Sequence, residues 1–168
     1  VQSVAIIGAG NMGSGIAQKT AQEEFDVQMV DREAQWVERG KTIIADFLSE
    51  AVERRIFSPQ QVEDIQSRIT GVIGTENTAP DTDLVIEAVF EDFDIKTAVF
   101  NTLNEVCGDK TILASNTSSL SVNDLSAASG RPDRFDGLHF FYHPAKNRLV
   151  EVIPGQDTSA ETIARTVQ

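Results

Sequence analysis

Cysteine, histidine and long apolar segments are scarce in this sequence of 168 residues. The one cysteine, Cys107, excludes an internal disulfide framework, and two histidines without a cysteine cluster argue against a bound metal. No apolar run approaches the roughly 18 residues that a membrane-spanning helix needs, and no basic-then-apolar leader is visible. We therefore expect a soluble protein of a reducing compartment, the cytoplasm.

Basic residues are also few. Lysine and arginine number 14 against 26 aspartates and glutamates, which gives a net charge of −12. A field of that sign repels the phosphates of nucleic acids and anionic membranes, so we expect neither as a partner. The hydrophobic fraction of 40% excludes a disordered chain, and the length corresponds to about one domain.

Short apolar runs alternate with amphipathic segments along the chain. The runs predict strands at 4–7, 27–30, 69–73, 83–89, 111–115, 135–141 and 149–153. Helices are predicted from Met12, over 34–56, from Ser58-Pro59 to 67, over 92–106 and over 121–125. The last two strands are joined so briefly that they must be antiparallel. The fold class is therefore α/β, with a doubly wound, mostly parallel sheet and an antiparallel edge hairpin.

Three glycines, Gly8, Gly10 and Gly13, lie between the first strand and the first helix. This spacing permits a tight turn, close approach of backbone to a pyrophosphate, and close packing of helix on strand. Asp31 ends the second strand, where its carboxylate suits two ribose hydroxyls and would repel a 2′-phosphate. NAD is therefore favoured over NADP, although Arg32 could stack on adenine or hold that phosphate. A glycine-rich turn without a ligand is the alternative interpretation.

His139 and Glu151 lie on the two strands of the predicted hairpin. There they can face each other, so that the carboxylate orients the imidazole of a general base. A histidine in an apolar strand is more often structural. Glu151 between Val150 and Val152 favours the pair, because a charge on a buried strand needs a partner.

A polar run, Asn116-Thr117-Ser118-Ser119, follows the fifth strand at its carboxyl end. Open α/β sheets bind ligands at that edge, so the amide and hydroxyls could hold a substrate oxygen or the nicotinamide. Ordinary turn chemistry explains such a run equally well.

Four segments together resemble the L-3-hydroxyacyl-CoA dehydrogenases, in the order found in that family. They are GAGNMGSGIAQ at 8–18, IEAVFE at 86–91, ASNTSSL at 114–120, and RFDGLHFF at 134–141 followed by LVEV at 149–152. The resemblance covers nearly the whole chain. It implies NAD-dependent oxidation of an L-3-hydroxyacyl-CoA to the 3-ketoacyl-CoA, as in fatty-acid β-oxidation, or the reverse.

The resemblance also implies roles for particular residues. His139 corresponds to the catalytic histidine, Glu151 to its partner and Ser118 to a serine that binds substrate. The predicted cofactor site comprises Gly8, Gly10, Asn11, Met12, Gly13, Asp31, Arg32, Ala88, Glu91, Lys96 and Asn116. Asn116 and Tyr142 are expected beside the substrate. The family has Asn-Pro after the two phenylalanines, whereas this chain has Tyr142-His143 with Pro144 one place later.

The domain expectation follows from the same family. Residues 1–157 are predicted to be the NAD-binding domain, and residues 158–168 the start of a helix leading to an absent C-terminal helical domain. That domain carries much of the family's dimer interface, so we expect a homodimer of the longer protein. The acyl-CoA substrate has a 3′-phosphate, for which Arg54 and Arg55 on the long helix are candidates; a solvated helix face is the alternative.

Two other functions remain open from the residues alone. The same fold and chemistry could serve a free hydroxy acid or sugar acid, which would need no CoA site. Alternatively, the chain binds NAD without catalysing a reaction.

Overall fold

The computed structural model describes residues 1–167, which form a seven-stranded sheet flanked by helices. The elements in chain order are β1 (Ser3–Ile7), α1 (Asn11–Gln22), β2 (Asp26–Asp31), α2 (Ala34–Glu53), α3 (Pro59–Ser67), β3 (Ile69–Ile73), β4 (Leu84–Glu87), α4 (Phe93–Val106), β5 (Ile112–Ser115), α5 (Val122–Ala128), β6 (Phe135–Phe140), β7 (Val150–Pro154) and α6 (Ala160–Val167). Short 3₁₀ turns span Thr75–Asn77 and Pro132–Arg134.

The strand order is β3-β2-β1-β4-β5-β6-β7. The first six strands are parallel, and β7 pairs antiparallel with β6. This arrangement confirms the predicted doubly wound sheet with an antiparallel edge hairpin. Because strands β1, β2, β4, β5 and β6 all point the same way, their carboxyl ends meet at one edge. The order of connections reverses between β1 and β4, which is where such sheets bind ligands.

The core lies on both faces of the sheet because the central strands are apolar at successive positions. Val4 and Ile6 face α1, α2 and α3 in one cluster, whereas Ala5 and Ile7 face α4 and α5 in the other. None of the helices within residues 1–167 combines the length and the apolar content that crossing a bilayer requires.

The long helix α2 ends earlier than the sequence predicts. Arg55 adopts a left-handed conformation with φ of 59°, and two backbone hydrogen bonds run from Ile56 N to Ala51 O and from Arg55 N to Val52 O. This is a Schellman ending, which satisfies the last carbonyls of the helix. The placement of Arg54 and Arg55 on the helix is therefore wrong: Arg54 is the C-cap and Arg55 lies in the turn beyond it.

Other predicted helix starts are confirmed by their caps. Ser58 and Gln61 form a reciprocal capping box in front of Pro59. Ser121 accepts a hydrogen bond from the backbone of Asp124. These caps satisfy backbone N–H groups that would otherwise be unpaired at the first turn.

The final helix, α6, packs back onto the sheet. Thr162 is buried and donates to the carbonyl of Asp133, and Thr166 donates to Asp136 on β6 with an O···O distance of 2.7 Å. Burial raises the pKa of the Asp136 carboxyl. Helix α6 begins at Ala160, and residue 168 lies outside the described part of the chain.

Candidate active site

Each of the three glycines of the first loop lacks a side chain for a different structural reason. Gly8 has a φ of 105°, and a Cβ there would lie 2.7 Å from the carbonyl oxygen of Ala88. A Cβ at Gly13 would overlap the carbonyl oxygen of Gly8, so the helix could not approach the strand as closely. A Cβ at Gly10 would have no described atom within 4 Å, so it would project into open space. Gly10 therefore leaves room for a ligand, whereas Gly8 and Gly13 allow the chain to pack.

Helix α1 begins directly at this open space. Its N-cap is Gly10, no side chain among the described residues caps it, and its first turn contains no acidic residue. Asn11 and Met12 are its first two residues, and Asn11 is exposed. An uncapped N-terminus offers free N–H groups and a partial positive charge, which suit a pyrophosphate.

Asp31 joins β2 to the glycine loop. Its Oδ2 accepts a hydrogen bond from Ala9 N at 2.8 Å, and its Oδ1 accepts one from Arg32 N at 2.7 Å. The contact with Ala9 was not predicted from the sequence, because it depends on β1 and β2 being neighbours. A carboxylate has about four acceptor positions, so capacity for ribose hydroxyls remains. The Arg32 side chain is 78% exposed and lies 3.5 Å from Glu33.

His139 and Glu151 occupy opposite positions in the β6–β7 register. The Nδ1 atom of His139 lies 2.9 Å from Oε2 of Glu151. The expectation that Glu151 lies on a buried strand is wrong, because β7 is the edge strand and this side chain is 51% exposed. The pair nevertheless forms, since opposite side chains of an antiparallel pair point to the same face. The ring of Phe141 packs against the imidazole, with ring centroids 4.6 Å apart.

The polar run after β5 lies beside the end of β6. Oδ1 of Asn116 accepts a hydrogen bond from the backbone N of Phe140 at 2.8 Å. This bond joins the Asn116 side chain to the residue that follows His139. Ser118 is exposed at the same edge of the sheet. The structure therefore brings Asn116 next to the histidine strand and leaves the Ser118 side chain accessible to a ligand.

A buried ion network lies beneath this run. Nζ of Lys96 lies 2.6 Å from Glu87 Oε1 and 3.2 Å from Glu91 Oε2. Glu91 in turn accepts hydrogen bonds from the backbone amides of Ser118 and Ser119, each at 3.1 Å. Glu91 is the one-third exposed member, whereas Lys96 is buried. The predicted contacts of Glu91 and Lys96 with the cofactor stay predictions.

The two carboxyls of this network titrate in opposite directions. Burial raises the pKa of Glu87, despite the attraction of Lys96. Burial also acts to raise the pKa of Glu91, but the hydrogen bond from Thr117, the Lys96 charge and the hydrogen bond from Ser119 outweigh it and lower the pKa to about 2. Glu91 is therefore a carboxylate at neutral pH.

The segment that departs from the family pattern is docked on the first two helices. The ring of His143 stacks on Phe47 of α2, with centroids 4.0 Å apart. A Cβ at Gly15 of α1 would lie only 3.0 Å from Pro144. Burial, followed by the charge of Lys146, lowers the pKa of His143. Tyr142 itself is 73% exposed, so its hydroxyl is available and its predicted role beside the substrate stays a prediction.

A cleft of about 450 Å³ lies between this segment, α1 and α2. Its cationic side chains are Lys19, Arg54, Lys146 and Arg148, its acidic ones are Glu23 and Glu50, and its apolar wall includes Phe47, Ile56 and Phe57. Lys19 pairs with Glu23 and Arg54 with Glu50, whereas Lys146 and Arg148 make no ion pair within residues 1–167. Arg55 does not line the cleft. Sequence reasoning missed Lys146 and Arg148, which lie in a loop without periodicity.

A glycine turn at a helix N-terminus, an acidic residue ending β2 and a histidine–carboxylate pair share one edge of the sheet. Together they define a Rossmann-type, dinucleotide-binding domain. The family model described as "3-hydroxyacyl-CoA dehydrogenase, NAD binding domain" matches residues 3–168. The chain therefore belongs to the 3-hydroxyacyl-CoA dehydrogenase family and corresponds to its NAD-binding domain. Both the resemblance and the expected cofactor, NAD, are confirmed.

Individual relatives agree with this assignment. The chain is 41% identical over 157 residues to a probable 3-hydroxybutyryl-CoA dehydrogenase of Deinococcus radiodurans, covering 94% of this chain and 56% of that protein. It is 38% identical over 169 residues to the fatty acid oxidation complex subunit alpha of Shewanella frigidimarina, covering 99% of this chain and 24% of the relative. The crystal structure of (S)-3-hydroxybutyryl-CoA dehydrogenase from Ralstonia eutropha superposes with a TM-score of 0.95 at 36% identity, covering 99% of this chain and 58% of that one.

Proposed function

We propose that the natural protein containing this chain oxidises L-3-hydroxyacyl-CoA to 3-ketoacyl-CoA with NAD, or catalyses the reverse reaction. The chain spans about half the length of the 3-hydroxybutyryl-CoA dehydrogenase that it matches, so this activity is a proposal for the whole protein. The observation that carries it is the 2.9 Å contact of His139 with Glu151, at the sheet edge that also carries the glycine loop.

The residues at that edge fit NAD. The open space above Gly10 and the uncapped N-terminus of α1 suit the pyrophosphate, and Asp31 suits the adenosine ribose. Met12 lies in the first turn of α1, and Ala88 and Asn116 follow β4 and β5 at the same edge. When bound, NAD supplies the hydride acceptor, and the protein supplies position and electrostatics.

The histidine acts through the nitrogen that faces away from Glu151. Because Nδ1 lies within hydrogen-bond distance of the Glu151 carboxylate, Nδ1 carries the proton and Nε2 is the free base. Nε2 takes the proton of the 3-hydroxyl group, and Glu151 stabilises the imidazolium that forms. The exposed hydroxyl of Ser118 holds the substrate oxygen, which positions C3 for hydride transfer.

The cationic cleft suits the nucleotide end of CoA. Lys146 and Arg148 have no carboxylate partner within residues 1–167, so they can bind phosphate oxygens on an otherwise acidic protein. Arg54 lies in the same cleft and would exchange Glu50 for the 3′-phosphate. Arg55 lies outside the lining and is the weaker candidate. Tyr142 lies near the cleft beside Lys146 and Arg148 and would face the thioester half of the substrate.

We further propose a domain boundary after residue 157, with α6 leading into a C-terminal helical domain. That domain would close over the acyl-CoA and form the interface of a homodimer in the cytoplasm. Support comes from the lengths of two relatives. This chain covers 56% of the Deinococcus radiodurans protein and 58% of the Ralstonia eutropha enzyme, so each of them has room for a second domain.

Turnover of the intact natural protein tests the function. The oxidation of NADH is measured with acetoacetyl-CoA and with free acetoacetate as the substrate. The assay with acetoacetyl-CoA is then repeated with NADPH in place of NADH. We expect turnover with acetoacetyl-CoA and NADH, and a loss of about 10²–10⁴ in kcat for His139→Gln with NADH affinity nearly unchanged, since general-base catalysis contributes on that order. Faster turnover of free acetoacetate would instead support the hydroxy-acid alternative. NADH binding without any turnover would support a binding module.

A further inference from the structure

Glu87 is an acidic residue on the central strand of the sheet, and it takes no part in the reaction proposed above. It ends β4, its side chain is 0% exposed, and its neighbours come from three different elements. Lys96 of α4 lies 2.6 Å from Oε1, and the Ser115 hydroxyl at the end of β5 donates to Oε2 at 2.6 Å. The backbone N of Val89 donates to Oε1 at 2.7 Å. All four groups lie at the carboxyl edge, directly below the site.

Stability alone does not explain this arrangement. Removing two charges from water costs several kcal/mol for each ion in typical proteins, and apolar side chains of the same volume often serve stability as well or better. Apolar replacements would not, however, hold Glu91. The Lys96 ammonium contacts both carboxylates, and Glu91 accepts hydrogen bonds from the amides of Ser118 and Ser119. A connected chain of charges therefore runs from Glu87 to the loop that carries Ser118.

We propose that Glu87 is a positioning residue for the reaction: it fixes Lys96, Lys96 fixes Glu91, and Glu91 holds the 116–119 loop in one conformation. The inference rests on the proposed function only where it concerns catalysis. Glu87 touches neither substrate nor cofactor, because it is fully buried.

The isosteric change Glu87→Gln tests this chain of contacts. With glutamine at position 87, the Lys96 ammonium keeps one carboxylate partner, Glu91, and draws it away from the loop amides. We expect amide exchange in residues 116–119 to accelerate about tenfold, the factor that loss of a hydrogen bond to a charged group corresponds to. In the intact natural protein, kcat for acetoacetyl-CoA reduction should fall about 10-fold to 100-fold, because small misplacements of positioning groups cost on that order. KM for NADH should change by a smaller factor than kcat, because the glycine loop, the N-terminus of α1 and Asp31, which bind the rest of the dinucleotide, are left as they are.

Arg131 provides the matched control. It is also buried, and its guanidinium donates to Asn104 Oδ1 at 2.7 Å and to the carbonyl of Gly108 at 2.9 Å, just before the amino end of β5. Arg131→Gln should destabilise the protein and accelerate exchange at residues 104–108. It should leave exchange at 116–119 and kcat near the values of the unmodified protein.

The double variant Glu87→Gln/Lys96→Met decides whether Glu87 acts through Lys96. It should be no slower than Lys96→Met alone, because the two residues belong to one chain of contacts. If Glu87→Gln alone does not fold, the double variant replaces it in the measurement, since it also removes the buried ammonium that Glu87→Gln leaves with a single carboxylate partner. Additive losses, or unchanged exchange at 116–119 in Glu87→Gln, would overturn the proposal. If the unmodified protein does not reduce acetoacetyl-CoA, the proposed function fails, and the exchange data still decide the positioning role.

Discussion

His139 on β6 and Glu151 on β7 face each other directly, with 2.9 Å between Nδ1 and Oε2. The carboxylate is half-exposed, whereas the imidazole is 21% exposed. The contact fixes the ring orientation, and in the reaction proposed above it leaves Nε2 as the atom that would meet the substrate. Glu151 lies on an edge strand, which pairs with one neighbouring strand alone. The contribution of Glu151 to catalysis can therefore be measured separately from its contribution to the stability of the sheet.

Glu151→Gln in the intact natural protein should lower kcat nearly as much as His139→Gln, about 10²–10⁴-fold. The double variant should lose far less than the product of the two factors, because the pair acts as a unit. Steady-state kinetics with acetoacetyl-CoA and NADH measure all three variants. Full additivity would show that Glu151 is only a structural residue of β7.

Asp31→Ala should weaken NAD binding by about 1–3 kcal/mol, the scale for leaving hydrogen-bonding groups unpaired. It should also reduce the preference against NADP, since the carboxylate that would repel a 2′-phosphate is gone. The free energy of unfolding of the variant should also be lower, because the backbone amide of Ala9 loses its hydrogen-bond acceptor. Calorimetric titration with NAD and NADP, beside thermal unfolding, measures these effects. A better affinity of the unmodified protein for NADP would show that Arg32 decides the cofactor.

Glu91 should contribute stability at neutral pH that disappears in acid. Its pKa is lowered from 4.5 to about 2 in the folded protein, so the contribution is complete above 4.5 and is lost as the pH falls from 4.5 towards 2. Glu91→Gln should lower the free energy of unfolding by about 1–2 kcal/mol at neutral pH, after allowance for solvent screening. Its unfolding curve should approach that of the unmodified chain in acid. Glu63→Gln, which changes an exposed residue on α3, is the control. An equal loss of stability in both variants would contradict the stabilising role of the Glu91 carboxylate.

Lys146→Ala and Arg148→Ala should each raise KM for acetoacetyl-CoA about tenfold, because each removes a charge-assisted contact to phosphate. KM for acetoacetyl-pantetheine, which lacks the nucleotide, should not change, and neither should KM for NADH. Lys41→Ala, which removes a lysine paired with Glu38 outside the cleft, is the control. Similar losses with both thioesters would place the CoA nucleotide elsewhere.

The 168-residue chain by itself should fold and bind NAD, because the sheet, the glycine loop and Asp31 are all present. It should show almost no dehydrogenase turnover. Without the proposed C-terminal domain, water would reach His139. The acyl chain would also lose apolar burial that contributes about 25 cal/mol per Å². Effective positioning of both reactants, worth about 7–11 kcal/mol, would also be lost. Calorimetry with NAD and an assay with acetoacetyl-CoA test this; turnover within about tenfold of the intact protein would show that no further domain is required.

Much of the fold and part of the site follow from the sequence because they depend on local patterns. The apolar runs are long enough to be buried strands, and the glycine spacing between β1 and α1 defines the nucleotide loop. The pairing of His139 with Glu151 is also predictable, since a brief connection forces an antiparallel hairpin. The exposure of Glu151 was missed because the sequence does not say which strand lies at the edge.

Other features were decided only by the tertiary structure. Asp31 reaches Ala9 because β1 and β2 are neighbours, and Glu87 reaches Ser115 because β4 and β5 are. The cationic cleft forms because His143 stacks on Phe47 and brings Lys146 and Arg148 against α2. None of these pairs shares a helix or a hairpin, so no periodicity in the sequence encodes them. They arise from strand order and loop docking, which depend on how the whole chain packs its core.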